Sequence, residues 1–468
     1  MNSATTIGRF AAYDPAYDPL VSQGPGRNLD YAPTYWAASA GDPPADDGPV
    51  IGDIDADVVI IGSGFTGLAT ALFLAKEHGI KATVLEANRV AWGCTSRNGG
   101  QGQNASGRLY RSQWIARWGM DTAKRLDAEI RYGFETFSEL VAQVDCDAQA
   151  GGHLFIAHRE KKLEFLRNET EVMRKHFGYD ARMLSAQELR RDWCDDRDAV
   201  GAQHESEGIS VHPLKLAHGY LKMARKLGVR VHPGSPVIGW ETDNAGVHRL
   251  RTPGGIVRAR SVGIATGAYT APGLHRSLKN RYFPVLSNSI VTRPLTADEL
   301  SATNFKTHIA ITDTRTLRFY YRLLPGNRVQ IGSRSSITGA DADRNTHYRL
   351  LIDGLARKFP PLKDIQIDHS WWGWVDVSHD MMPRVMQPDP KQQVFYALGY
   401  GGNGVSFSAH AGRRMAQRIA GQPDPVFDLL PIYQDALPFP AQGEWAAPFR
   451  RMGQGLLYKW YWLRDEIL

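Results

Sequence analysis

"ADVVIIGSGFTGLATALFLAKEHGIKATVLE", residues Ala56–Glu86, decides the fold. An apolar run ending at Ile61 meets a glycine turn, then a helical stretch closed by Gly79, then a second apolar run ending at Glu86. Two short apolar runs joined by a segment of helical period read as a parallel βαβ unit. The turn "GSGFTG" sets Gly62, Gly64 and Gly67 at the GxGxxG spacing. There the first glycine makes the tight turn, the second lets backbone approach a pyrophosphate, and the third lets the helix close on the strand. Glu86, about 20 residues on at the end of the next run, places a carboxylate where it accepts from ribose hydroxyls. The unit predicts a dinucleotide site.

Upstream, residues 1–55 are rich in Pro, Gly, Asp and Tyr and read as an extended N-terminal arm. Downstream, helical spacing recurs from Asp121 to Cys146 and from Glu160 to Phe177, and Ser185 with Glu188 forms a capping-box pattern. Pro213 opens a further helix, with His212 at its cap and Gly228 past its end. "VRVH", "PVIGWE" and "ARSVGIATGAYT" read as strands. From Tyr282 to Arg334 β-branched and aromatic runs separated by turn residues predict an antiparallel sheet. "QVFYALGYGGNGVSFSAHAGRRMAQRIAG" closes with strand, glycine turn and helix, the grammar with which the fold opened.

The expected fold class is therefore α/β, α+β overall. A Rossmann-like dinucleotide domain is assembled from the discontinuous segments 56–120, 196–281 and 365–421. An antiparallel-sheet and helix substrate domain, 121–195 and 282–364, is inserted between them, and a tail, 422–468, packs on the fold.

Composition narrows the function classes. The 468 residues are 43% hydrophobic and 22% charged, the balance of a folded chain of two or three domains. Lys and Arg exceed Asp and Glu by a formal charge of +6, yet they form no dense basic block or stripe, so no nucleic-acid partner is expected. A flavin-containing RNA-binding protein is the alternative of another class. No apolar run is long enough to span a bilayer, and the N-terminus lacks a basic-then-apolar signal, so the expected location is cytoplasmic, without integral membrane association. The basic and aromatic C-terminal "FRRMGQGLLYKWYWLRDEIL" raises a membrane-surface reading, with packing on the fold preferred. Cys94, Cys146 and Cys194 stand far apart, which indicates neither disulfide framework nor metal site.

An enzyme that reduces its own flavin with a nicotinamide usually carries two dinucleotide fingerprints, and this chain has one. A resident FAD fits best. The opening fingerprint with Glu86, "TSRNGGQ" from Thr95, "ATGAYT" from Ala265, "WWGWVDVSHDMMP" from Trp371 and "ALGYGGNGVSFSAHAG" from Ala397 resemble, in order and spacing, the FAD-dependent D-amino-acid oxidase superfamily, which includes glycine and sarcosine oxidases. Within it the chain is most similar to the γ-glutamylputrescine oxidoreductase branch, including "PTYWAASAG" near the start and the last 32 residues or so.

The resemblance implies hydride transfer from an amine-bearing carbon to flavin N5, leaving an imine that hydrolyses to an aldehyde or keto acid. The expected substrate is a small amine, a γ-glutamylated polyamine or similar carboxylate-bearing amine; sarcosine, proline or a D-amino acid is the alternative. Beside the flavin it implies "CTSRNGG": Thr95 and Ser96 as hydroxyl donors, Arg97 and Asn98 as cationic and amide donors, Gly99 and Gly100 for close approach to the ring. Some relatives carry a covalently linked histidine near the place where Arg97 stands, so noncovalent FAD is expected. Thr266 and Gly267 bring the chain back beside the cofactor, and Gly401, Gly402, Asn403 and Gly404 turn a helix N-terminus toward the flavin's pyrimidine edge. Phe65, Thr66, Ala87, Val237 and Val405 complete the expected cofactor contacts.

For the substrate, "TLRFYYRL" offers Arg318 and Tyr320 on one strand face, and "WWGWVDVSHDMMP" offers Trp374 and His379. Sarcosine-oxidase-like relatives carry an oxygen-activating lysine in the region that here reads "LRFYYR". Its lack leaves molecular oxygen and another electron acceptor both open.

Overall fold

The computed structural model of the chain describes residues 17–342, 344–422, 424–435, 437–440 and 444–468. Residues 1–16 of the expected arm and parts of the expected tail lie outside the described residues.

Val58–Ile61 are all buried, as in a strand covered on both faces. This strand, Ile54–Ile61, lies at the centre of a parallel array. The spatial order is Arg230–His232, Thr83–Leu85, Ile54–Ile61, Gly255–Ile264, Val394–Leu398. Gly239–Thr242 and His248–Thr252 extend it as an antiparallel edge, and Arg384–Met386 pairs antiparallel with Val394–Leu398. Ile61 stands opposite both Leu85 and Ile264, and Ile264 opposite Tyr396. The carboxyl ends are thus level, and the turns that leave them open onto one crevice, where α/β sheets take their ligands. Helix Phe65–His78 packs beside helix Phe407–Ile419, and Gly412 permits their approach: a Cβ there would lie 2.7 Å from the Thr66 carbonyl oxygen.

The second sheet runs Ile367–Val377, Phe283–Thr292, Arg328–Ser333, Tyr320–Leu324, Ala310–Asp313, His153–Ala157, Gly201–Glu205, Ala181–Ser185. Two expectations are corrected here. One seam, between Ala310–Asp313 and His153–Ala157, is parallel rather than antiparallel. Gly201–Glu205 and Ile367–Val377, expected within the dinucleotide segments that begin at 196 and 365, are strands of this sheet. Alternation identifies a strand, but the partner, here some 150 residues away in sequence, is chosen by tertiary packing.

The local signals read as expected elsewhere. Ser185 and Glu188 form the capping box of Ala186–Asp192. Pro213 is the first residue of Pro213–Lys226, and the His212 ring accepts from the Lys215 N–H. The helical run Arg111–Val141 is interrupted at Gly119, whose φ is +79°.

Candidate functional site

The turn after Ile54–Ile61 has no room for side chains at its glycines. Gly62 sits at φ +99°, and a Cβ on it would come 2.6 Å from the Ala265 carbonyl oxygen. A Cβ on Gly67 would stand 1.9 Å from the Gly62 oxygen, so this glycine holds helix to strand and does not itself line the site. Gly64 caps Phe65–His78 without a side chain, and the Phe65 N–H is taken instead by Thr95 Oγ1 at 3.1 Å. The Thr95 hydroxyl keeps its proton to donate. Free first-turn N–H groups and the positive end of the helix make this an anion cradle.

Glu86 closes the cradle on its far side. Its Oε2 accepts from the Ser63 N–H at 3.0 Å and the Ser63 hydroxyl at 2.7 Å, and its Oε1 accepts from the Asn88 N–H at 3.0 Å. A carboxylate has about four acceptor directions, so one remains for a ribose hydroxyl. Ala87 and Val237 line the same recess.

From here one cavity of about 770 Å³ runs to the second sheet. Phe65, Thr66, Arg97, Asn98, Gly99, Thr266 and Gly267 line its middle, and Gly402, Asn403, Gly404 and Val405 one wall. Thr66 Oγ1 and the Tyr400 hydroxyl are 2.7 Å apart. The Arg97 guanidinium lies 4.3 Å from the Trp92 ring centre, and its Nε donates to the Trp92 carbonyl. Asn98 braces its own turn, donating to the Cys94 and Thr95 carbonyls and accepting from the Gly100 N–H. Asn403 reaches the Gly107 carbonyl at 2.7 Å, which joins the glycine turn to the segment before Arg108. Burial pushes the Cys94 thiol up to about 12, so it is no thiolate at neutral pH.

At the far end Tyr320 bonds through its hydroxyl to Ser289 at 2.8 Å and Ser287 at 3.0 Å, with its ring against Gly99. Tyr321 points the other way, into the core, and bonds to Asp196. Arg318 lines the cavity with its guanidinium 5.3 Å from the Phe155 ring centre. Asp313 Oδ1 holds the loop that presents it, accepting from the Phe319 N–H at 3.0 Å and the Arg315 N–H at 3.2 Å.

Two further arginines converge here that sequence reasoning passed over. Arg108 donates to the Thr316 carbonyl at 3.0 Å, and Arg334 to the Gly401 carbonyl at 3.1 Å. Among the described residues none of Arg108, Arg318 and Arg334 has a carboxylate within ion-pair distance. Burial, then the charges of Arg318 and Arg334, push the Arg108 guanidinium well below its ordinary range; burial and then the Arg318 charge also lower Arg334. The available signal was positional: Arg334 directly follows strand Arg328–Ser333, and Arg108 follows the Asn-Ala-Ser-Gly turn at 104–107. Asp376, also passed over, lines the cavity, accepts from the Gly399 N–H, and has its carboxyl raised by burial.

Five other expected site residues stand off the cavity. Ser96 is buried and donates to the Trp92 carbonyl, because its short helical turn directs it inward. Gly100 packs on Val211, whose carbonyl oxygen would be 2.2 Å from a Cβ. Gly401 braces the turn, donating its N–H to the Asp376 carbonyl. Trp374 is fully buried beside Trp372, on the opposite face of its strand from the cavity-lining Gly373 and Val375. His379 is exposed in the turn after that strand, with its ring edge-on to Phe439.

The glycine cradle, the helix N-terminus and the Glu86 carboxylate fit a dinucleotide, and the long cavity leaves room for a ring system beyond it. A family profile described as DAO, FAD dependent oxidoreductase, matches residues 57–418. The chain is 33% identical to γ-glutamylputrescine oxidoreductase of Escherichia coli strain K12 over 446 residues, 94% of this chain and 99% of that protein. It is 25% identical to glycine oxidase of Bacillus licheniformis, over 78% of this chain and 94% of that one. In fold it resembles the crystal structure of glycine oxidase from Geobacillus kaustophilus, with TM-score 0.65 and 21% identity over 80% of this chain and 96% of the other. L-proline dehydrogenase from P. horikoshii gives 0.66 at 18% identity over 81% and 98%.

Proposed function

The chain belongs to the DAO family of FAD-dependent oxidoreductases acting on amines and amino acids, and from that premise we propose that it oxidises a carboxylate-bearing amine, a γ-glutamylated polyamine or close analogue. The observation that carries this reading is the convergence of Arg108, Arg318 and Arg334 on one cavity, where among the described residues none of them is ion-paired to a carboxylate. Such a group calls for an anionic ligand, and guanidinium forks match carboxylate geometry. The similarity to a γ-glutamylputrescine oxidoreductase along nearly the whole chain supports the amine class.

In this reading Gly62, Gly64 and the N-terminus of Phe65–His78 hold the pyrophosphate, and Glu86 holds the ribose. Thr95, Gly99 and the 402–405 turn border the ring. FAD, held noncovalently, supplies the hydride acceptor for oxidation of the C–N bond. The chain's own work is orientation: the arginines fix the carboxylate, and Tyr320, held by Ser287 and Ser289, shapes the space over Gly99. The three cations favour the ionised form of a substrate carboxylate bound among them, while the amine must lose its proton before its carbon gives up hydride. The electrons pass on to molecular oxygen or to another electron acceptor.

The test is flavin absorbance of the purified protein, mixed without oxygen against γ-glutamyl amines, free polyamines, N-methyl amino acids and D-amino acids. Bleaching by γ-glutamyl amines, with free polyamines inert, is the expected result. Bleaching by a free polyamine as readily would remove the carboxylate anchor from the proposal.

A further inference from the structure

The helix Ala447–Glu466 is amphipathic in the reverse of the usual sense. At about 100° per residue, Arg451, Gln454, Tyr458 and Asp465 share one side, and Phe449, Met452, Leu456 and Trp460 the opposite one. The polar side meets the protein. Arg451 donates to Asp18 Oδ2 and the Pro284 carbonyl, each at 2.8 Å, and Asp465 accepts from the Thr316 N–H at 2.6 Å. The apolar side faces outward: Phe449 is 61% exposed, Met452 60%, Leu456 62% and Trp460 52%. Trp445, just before the helix, is exposed as well, and Trp462 is exposed on the Arg451 side. A helix on a watery surface ordinarily does the opposite, and apolar exposure gathered into one stripe marks a surface that something covers.

Charge selects the occupant. Both carboxylates of the helix are engaged with the protein, Asp465 with Thr316 and Glu466 with Arg315. Lys459 and Arg464 are exposed and, by helical angle, flank the apolar stripe on either side, Lys459 with no carboxylate partner among the described residues and Arg464 also reaching Asp465 and the Thr316 hydroxyl. A second copy of this helix brings the same cations and no free carboxylate to meet them. Anionic lipid headgroups supply that counter-charge, Trp and Phe settle at the headgroup boundary, and Lys and Arg extend along the stripe toward the phosphates. No described helix is long and apolar enough to cross a membrane, so the helix would lie in the interface plane.

We propose that the outward face of Ala447–Glu466 is a docking surface for an anionic lipid bilayer. The same helix borders the cavity: Arg464 donates to the Thr316 hydroxyl, and Thr316 lines the cavity. Docking therefore holds that rim near the membrane. The surface stands independently of the substrate.

The experiment is flotation of the FAD-loaded full chain with vesicles of phosphatidylcholine, with and without phosphatidylglycerol. The protein is expected to float with the phosphatidylglycerol vesicles, to stay behind with phosphatidylcholine alone, and to be released by salt. The double variant Phe449→Ser/Trp460→Ser, at exposed positions, is expected to lose roughly tenfold or more in partitioning while keeping its flavin spectrum, because two apolar anchors are removed. Lys459→Glu is expected to weaken partitioning several-fold. Failure of the wild type to float with either vesicle would overturn the proposal. So would a wild-type dimer that the double variant turns to monomer without changing vesicle binding, which assigns the face to a second copy.

Discussion

Glu86 accepts two hydrogen bonds from one residue, the backbone N–H and the hydroxyl of Ser63, both on Oε2. The strand-end carboxylate is thereby tied to the first turn of the glycine cradle, and with it the proposed ribose subsite to the proposed pyrophosphate subsite. Glu86→Ala removes charge-assisted acceptance of a ribose hydroxyl, worth about 1.5–3 kcal/mol, and is expected to raise the FAD dissociation constant roughly 10- to 150-fold. Fluorescence titration of the apoprotein measures it; wild-type affinity would remove the ribose assignment. Acid precipitation of the wild type is expected to leave FAD in the supernatant, since the segment beside the cavity, Cys94–Gly99, holds no histidine and burial raises the Cys94 thiol.

Gly67 tests the cradle from its packing side. With a Cβ only 1.9 Å from the Gly62 oxygen, Gly67→Ala must part helix from strand, at a cost near or beyond the top of the usual ~1–3 kcal/mol for overpacking. Gly453, in the exposed helix with nothing within 4 Å, is the contrast: Gly453→Ala is expected to raise stability by up to about 1 kcal/mol. Denaturant midpoints of the two variants should move in opposite directions.

The arginine group predicts how specificity fails. Arg318→Met is expected to lower kcat/KM for a carboxylate-bearing amine by about 2–3 kcal/mol, roughly 30- to 150-fold, chiefly through KM. For an analogue lacking the carboxylate the same change should have little effect. Equal losses on both substrates would mean that Arg318 shapes the cavity rather than anchoring the acid.

Three buried histidines set a pH dependence of stability. Burial holds His153 and His212 down at about 3 and His218 at about 4. In the unfolded chain each titrates near 6.5, so below that pH the unfolded state takes up protons that the folded state refuses. Stability should therefore fall as pH drops from about 6.5 toward 4, each histidine adding up to about 1.4 kcal/mol per pH unit. Thermal midpoints between pH 7.5 and 5 measure the slope, and His218→Gln should flatten it. A midpoint that does not move over this range would show these rings protonated in the folded protein.

Among the described residues the cavity's basic groups are arginines, with no lysine in its lining. If oxygen activation needs the compact ammonium of the relatives, anaerobically reduced protein should reoxidise slowly in air and quickly with an artificial acceptor such as a quinone. Stopped-flow mixing with aerated buffer decides it; reoxidation faster than turnover would give that role to an arginine.

Local signals carried the glycine-turn half of the cavity. Gly62, Gly64 and Glu86 were legible because backbone freedom and strand-end position are properties of a few adjacent residues, and Thr266, Gly267 and the 402–405 turn followed from strand-then-glycine patterns joined to the family resemblance. The substrate end was legible only in part. Arg318 and Tyr320 line the cavity, but Trp374 and His379, from a motif just as aromatic and basic, do not. Strand phase separates them: Gly373 and Val375 face the cavity, so Trp374 between them cannot.

The sequence by itself thus determined the βαβ unit, the helix boundaries at Ser185 and Pro213, the glycine turn at the cavity and the family. All of these rest on periods of two and 3.6 residues and on glycine spacing, which act over one or two turns of chain. Tertiary structure alone decided that strands 201–205 and 367–377 join the second sheet and that Arg108, Arg318 and Arg334 meet. It also decided that the last helix turns its apolar stripe outward. Helical period reveals that Phe449, Met452, Leu456 and Trp460 form a stripe, but which side meets the protein depends on Asp18, Pro284 and Thr316, which lie more than 130 residues away in the chain.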